Sequence, residues 1–234
     1  MVAGLHPEPP VAGVSLIAHA VVLVGPPGAG KGTQSHAIAS EFGIPVISTG
    51  LMLREAVQRN TSLGMAARAS MESGALVPDE LVCRLVEERI GEPDCARGFI
   101  MDGFPRNLNQ AVFLEGLLGS TKGGVGMLAL NIRVSQKTLL MRLAGRRVCP
   151  ECGTNYNIFF SPPRKEGVCD NEGRALVQRP DDNEEVIRRR LTEYEKQTRP
   201  LIDHYSSLGL LREVDGNGSS ETVTAAIFAL LRAS

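Results

Sequence analysis

The sequence shows no bias toward either sign of charge and no long apolar run. Across 234 residues, 25 basic residues face 26 acidic ones, a formal net charge of −1. That balance excludes a surface given over to nucleic acid or anionic lipid. No apolar run approaches the ~20 residues of a membrane-spanning helix. The first thirty positions hold no Lys or Arg, so the basic start of a secretory signal and the Arg of a mitochondrial presequence are both missing. With no such signal, five Cys do not read as a disulfide framework. Repeats and low-complexity tracts are absent too. A composition of 43% hydrophobic and 22% charged residues speaks against disorder, collagen and coiled coil. What remains is a soluble, cytoplasmic protein that binds neither nucleic acid nor membrane. Residues 1–19 are expected as a loose extension ahead of one domain over 20–234.

What the chain does have is arginine. Twenty of the 25 basic residues are Arg, and nine basic residues fall between Arg146 and Arg190. Arg stays charged at any working pH and grips phosphate with two parallel N–H donors. An anionic ligand is therefore expected.

The apolar, β-branched run Ala20–Val24 reads as a strand buried on both faces, and Pro45–Ser48, Phe99–Met101, Met127–Ile132 and Leu210–Val214 read as further strands. Helical patterns separate them, at Lys31–Phe42, from about residue 51 to Ser73, from Pro78 to Ile90, at Leu108–Leu118 and at Ser135–Leu143. Strand and helix in alternation predict an α/β fold with a doubly wound, parallel, five-stranded sheet and helices on both faces. The alternation stops at Gly145. Residues 148–180 gather four Pro, three Gly and three Cys, the composition of an inserted module. Helix is expected to resume at Asp182-Asn-Glu-Glu185, which fits a capping box, and to run to about Tyr205, before a closing helix at Glu221–Leu231.

Between the first strand and the first helix lies Gly25-Pro-Pro-Gly-Ala-Gly-Lys31-Gly-Thr33. Glycines there let successive backbone N–H groups converge on an anion at a helix N-terminus. Lys31 can reach the outer phosphates and the Thr33 hydroxyl can contact Mg²⁺. Gly32 displaces the hydroxyl by one position from the general P-loop pattern. That displaced form, continued by Gln34, resembles the adenylate kinase family. Ile47-Ser-Thr49-Gly50, Arg54, Asp102-Gly103-Phe-Pro-Arg106, Gln110, Gly145-Arg146-Arg147, Arg179-Pro-Asp181-Asp182, Arg190 and Pro200-Leu-Ile-Asp-His-Tyr205 agree in order and spacing. The resemblance covers about residues 20–230 and is to the long-lid form.

The resemblance implies reversible transfer, ATP + AMP = 2 ADP with Mg²⁺, in adenine nucleotide homeostasis. It implies a monophosphate-binding arm over 48–78 and a lid over 146–181. Gly28, Ala29, Gly30, Lys31, Gly32, Thr33, Arg142, Arg146 and Tyr156 would hold ATP. Thr49, Arg54, Leu76, Val77, Gly103, Arg106 and Gln110 would hold AMP. Arg179 and Arg190 would bridge the two phosphate chains, and Asp102 would hold Mg²⁺ through water. Lys31, Arg106, Arg146, Arg179 and Arg190 are the expected catalytic residues, while Arg188 and Arg189 are assigned to solvent by helical spacing. Phosphate as acceptor needs no general base, which suits a set of expected site residues that contains none of the four His. Donor GTP, acceptor CMP or UMP, and a non-catalytic nucleotide-binding protein are the alternatives. A monomer is expected.

Cys149-x2-Cys152-x16-Cys169-x2-Glu172 resembles a zinc ribbon. Some lids of the family carry such a site, usually with Cys or Asp last. Glu172 is the expected fourth ligand, with Asp170 as a competitor. One departure touches the reaction itself: the family's Ser-Thr-Gly-Asp reads Ser48-Thr49-Gly50-Leu51 here, so a carboxylate that sits near the magnesium-bound waters is missing.

Overall fold

A computed structural model describes residues 19–119 and 126–232; apart from His19, the expected N-terminal extension lies outside them. Strands β1 (Ala20–Val24), β2 (Val46–Ser48), β3 (Phe99–Asp102), β4 (Met127–Arg133) and β7 (Leu211–Asp215) form one sheet in the order β2-β3-β1-β4-β7. Every pairing in it is parallel. β5 (Arg146–Val148) and β6 (Asn155–Asn157) make a separate antiparallel pair within the Cys-rich segment. The helices are α1 (Lys31–Phe42), α2 (Thr49–Gln58), α3 (Ser62–Ser73), α4 (Asp79–Ile90), α5 (Leu108–Gly119), α6 (Gln136–Ala144), α7 (Glu184–Glu193), α8 (Pro200–Ser207) and α9 (Ser220–Arg232).

All five residues of β1 are buried, and they divide by parity between two cores. Ala20, Val22 and Val24 face one core with Leu114 of α5 and Leu201 and Tyr205 of α8. Val21 and Leu23 face the other with Ile38 and Phe42 of α1, Leu139 of α6 and Ile227 and Leu231 of α9. A strand sandwiched this way is apolar at every position, which is why it reads as a continuous run.

Register brings the functional ends together. Leu23 pairs with Asp102 and Ser48 pairs with the same residue from the other side. The carboxyl ends of β1, β2 and β3 thus open on one crevice, the place where a doubly wound sheet binds ligands.

Two expectations around the last helices are corrected. The cap of α7 is Asn183, whose side chain accepts from the Val186 N–H at 3.0 Å. Asp182 is unavailable because its carboxylate is committed to Arg146. The helix also fails to run unbroken to Tyr205. Pro200 lacks an N–H and its ring clashes with the carbonyl four residues earlier. A π-turn over Tyr194–Thr198 resolves this, with the Arg199 N–H bonding back to the Tyr194 carbonyl at 2.8 Å.

Candidate active site

The loop from Gly25 to Gly30 is tight for a stated reason. At Gly25 (φ 146°) a Cβ would sit 2.9 Å from the Ile132 carbonyl, and at Gly28 (φ 83°) 2.9 Å from Leu143 Cγ. Only glycine fits, and the chain then enters α1 with Gly30 left-handed at its cap. Lys31 Nζ folds back onto the loop, donating to the Gly25 and Pro26 carbonyls at 2.6 and 3.0 Å. Burial pulls its pKa down to about 8, against the opposing pull of Asp102, with Arg106, Arg190 and Arg146 repelling its charge. Asp102 Oδ2 lies 3.6 Å from where a Gly32 Cβ would be and 3.4 Å from Ser48 Oγ. Thr33 is exposed in the first turn of α1.

Six cations converge on this crevice: Lys31, Arg54, Arg106, Arg146, Arg179 and Arg190. Three carboxylates answer them. Arg146 clamps Asp182 with Nε at 2.6 Å and its terminal nitrogen on the other oxygen. Arg190 donates to Asp181 at 2.9 Å and to Asp182 at 3.1 Å. Asp102 is the third. Burial, reinforced by neighbouring arginines, lowers Arg106 and Arg179 to about 10 and depresses Arg54 and Arg190 as well. A cationic excess held in place by its own fold is ready-made for polyphosphate. Arg188 and Arg189 point elsewhere: both are exposed, each paired with a Glu four residues back.

Beside the cations lies a cleft lined by Thr49, Arg54, Leu76, Val77, Gly103, Arg106, Gln110 and Arg190, which gathers most of the expected monophosphate residues. Thr49 Oγ1 and Arg106 Nε both donate to the Gly103 carbonyl, at 2.9 and 2.8 Å. Leu51 is 45% exposed in the first turn of α2.

A phosphate loop, a cationic crevice and an adjoining cleft on one parallel sheet narrow the field, and sequence relatives decide it. The family model described as adenylate kinase matches residues 23–210. The adenylate kinase of Syntrophobacter fumaroxidans is 48% identical over 211 residues, 90% of this chain and 99% of that one. That of Carboxydothermus hydrogenoformans is 51% identical over 210 residues, 88% and 96% of the two chains. The adenylate kinase of Thermodesulfovibrio yellowstonii is 49% identical over 211 residues, 90% and 98%. The chain belongs to the adenylate kinase family.

For an adenylate kinase, the surroundings of Arg142 are informative. Its guanidinium donates to the Gly216 carbonyl at 2.8 Å and lies over the Phe160 ring, 5.6 Å from the centroid. Phe160 was not singled out by the sequence; the signal was an exposed Phe-Phe pair in a polar segment. Tyr156 is placed differently from its expected neighbours. Its hydroxyl accepts from the Asp170 N–H at 2.9 Å and sits 3.6 Å from Cys169 Sγ, so its ring is spent inside the Cys-rich segment.

The Cys149, Cys152 and Cys169 sulfurs all lie within 4.8 Å of one another, with Cys152 and Cys169 at 3.6 Å. Zn–S bonds of about 2.3 Å arranged tetrahedrally separate sulfurs by about 3.8 Å, so these three fit zinc. Burial works to raise the Cys169 thiol. Hydrogen bonds from the Glu172 N–H, the Tyr156 hydroxyl and the Asn171 N–H outweigh it, giving about 7. Glu172, the expected fourth ligand, is exposed and stands outside the group of three sulfurs, while its backbone N–H serves Cys169. Asp170 is also diverted, accepting from the Arg164 N–H at 2.9 Å. Among the described residues, no helix is long and apolar enough to cross a membrane.

Proposed function

We propose that this protein catalyses ATP + AMP = 2 ADP, acting as a monomer in the cytoplasm. The observation that carries this reading is the convergence of six cations between the Gly25–Thr33 loop and an adjoining cleft of mixed polar and apolar lining. Donor phosphates would rest on the loop N–H groups and Lys31, extending toward Arg146. The flat Arg142–Phe160 pair would receive the donor base, since a guanidinium and a ring offer stacking faces of any aromatic system. AMP would enter the cleft beside Thr49, Leu76, Val77 and Gln110, its phosphate toward Arg54 and Arg106. Arg179 and Arg190 would span the two chains from the lid side, over residues 146–181, while residues 48–78 form the arm.

The acceptor oxygen is already anionic, so the barrier is one of repulsion and alignment rather than proton transfer. Cations gathered in the crevice lower it by compensating charge where it develops. Magnesium bound with ATP would be held by Thr33 directly and Asp102 through water, and would supply further neutralisation of the phosphates. The donor atoms suit it, being hard oxygens. Closure of arm and lid would exclude water and suppress hydrolysis.

A coupled assay of ADP formation from ATP and AMP tests the reading, with GTP and CMP as alternative substrates. Turnover confined to ATP with AMP, and hydrolysis without AMP at a small fraction of that rate, is the expected result. Equal rates with and without AMP would refute it.

The depressed Lys31 gives a pH dependence. Free enzyme loses the ammonium charge as pH rises through about 8, whereas bound phosphates favour the charged form and raise its pKa. Hence kcat/KM for ATP should fall above pH 8 while kcat persists to higher pH. A kcat/KM that stays level to pH 9.5 contradicts this assignment of Lys31.

Leu51 cannot accept hydrogen bonds from a hydrated ion. Leu51→Asp should raise kcat roughly tenfold at limiting magnesium, the equivalent of one net hydrogen bond of ~1.4 kcal/mol. A magnesium titration of both proteins checks it, and superimposable curves would dismiss the idea.

A further inference from the structure

Gln110 lines the monophosphate cleft and is only 2% exposed. Its carboxamide is held at both ends. Nε2 donates to Asp79 Oδ1 at 2.6 Å, and Oε1 accepts from the Arg106 N–H at 2.8 Å. An ionised carboxylate only accepts and a backbone N–H only donates. Each neighbour therefore dictates, independently, which end of the amide is oxygen and which is nitrogen.

Asp79 is itself fixed. The same Oδ1 accepts from Asn107 Nδ2 at 2.8 Å, and Asn107 Oδ1 accepts from the Gln110 N–H at 2.9 Å. Asp79 opens α4 and Asn107 caps α5, so the two helix starts share one closed hydrogen-bond ring at the cleft wall. With one N–H and one oxygen lone pair already used, the Gln110 amide retains one of each for a ligand.

Those two remaining groups have a fixed order along the amide, and purines differ in what they present to it. Adenine offers an amino donor beside a ring-nitrogen acceptor. Hypoxanthine and guanine offer a carbonyl acceptor beside a ring N–H. A Gln amide of one polarity pairs with the first and opposes the second. We infer that Asp79 is a specificity-determining positioning residue, which holds the Gln110 amide in the polarity that selects adenine over 6-oxopurines in the monophosphate cleft. It acts through Gln110 and Asn107 and touches no substrate. The inference rests on the adenylate kinase reading, with AMP in the cleft lined by Gln110.

Removing the carboxylate leaves the amide tied only at its oxygen end, by the Arg106 N–H, so the nitrogen can swing away from the base, and the lost pairing should appear on the monophosphate side alone. Asp79→Ala should raise KM for AMP about tenfold, leave KM for ATP within about twofold, and cut the kcat/KM preference for AMP over IMP about tenfold. Asp79→Asn keeps an accepting oxygen and should recover most of the KM for AMP, which separates positioning from loss of fold. The experiment is steady-state kinetics of the wild type and both variants with ATP, AMP and IMP, alongside thermal unfolding. An unchanged AMP-to-IMP ratio in both variants, or KM values for AMP and ATP that rise together, would overturn the inference while wild-type turnover of AMP leaves the reading beneath it intact. Wild type inactive toward AMP would overturn both.

Discussion

Arg190→Ala should lower kcat about a thousandfold, while Arg189→Ala, one residue away, should change it by no more than about twofold. Phosphoryl transfer stabilised by a single well-placed Arg gains ~10³–10⁵ in rate, and Arg190 meets the conditions for such a residue. Its side chain is 21% exposed, anchored 2.9 Å from Asp181 and 3.1 Å from Asp182, and it lines the cleft beside Arg54, Arg106 and Gln110. Arg189 is 55% exposed and paired with Glu185, a contact of small worth in water. The stability cost of Arg190→Ala stays modest because Asp182 keeps its clamp from Arg146. A loss of ~1–2 kcal/mol, or ~3–6 °C in the unfolding midpoint, is expected. Turnover within tenfold of wild type for Arg190→Ala would remove it from the catalytic set, and a large loss in Arg189→Ala would mean that exposure is a poor guide to this helix.

The same helix shows what a sequence discloses and what it withholds. Spacing alone separates Arg190 from Arg188 and Arg189, because neighbouring residues on a helix point about 100° apart. The Asp182-to-Arg146 clamp joins positions 36 residues apart, and no local pattern announces it. Asp182 therefore looks like a helix cap until the partner is seen. The central strand is legible for the opposite reason: five consecutive buried apolar residues leave their mark in every letter. Asp102 is placed by that regularity, since it ends β3 directly beside Leu23 and Ser48. Orientation is the level that stays hidden. Tyr156 turns toward Asp170 and Cys169, and Phe160 onto Arg142, although both sit in one short aromatic stretch. The Asp79–Gln110–Asn107 ring is likewise a matter of amide polarity, which residue types permit but do not specify.

Loss of a lid thiolate should destabilise this protein more than any other change to the lid. Among its described residues, the lid's own buried cluster is Cys149, Tyr156 and Cys169, with Leu176 packed alongside. So few apolar groups cannot offset the chain entropy of a segment of this length, and small modules of this kind are held by metal or disulfide. The sulfurs are not disulfide-bonded, and their spacing suits one tetrahedral ion. Protein purified without chelator should carry one zinc per chain. Cys169→Ser should abolish it and lower the unfolding midpoint by ~6–12 °C, corresponding to ~3 kcal/mol for a chain of this size. Glu172→Ala should leave the zinc content unchanged, because that side chain stands outside the sulfur group. Metal analysis with calorimetry reads all three outcomes. Zinc well below one equivalent in the wild type would mean that the lid is held by hydrogen bonds such as Tyr156 to Asp170. Loss of zinc in Glu172→Ala would return the fourth position to that carboxylate.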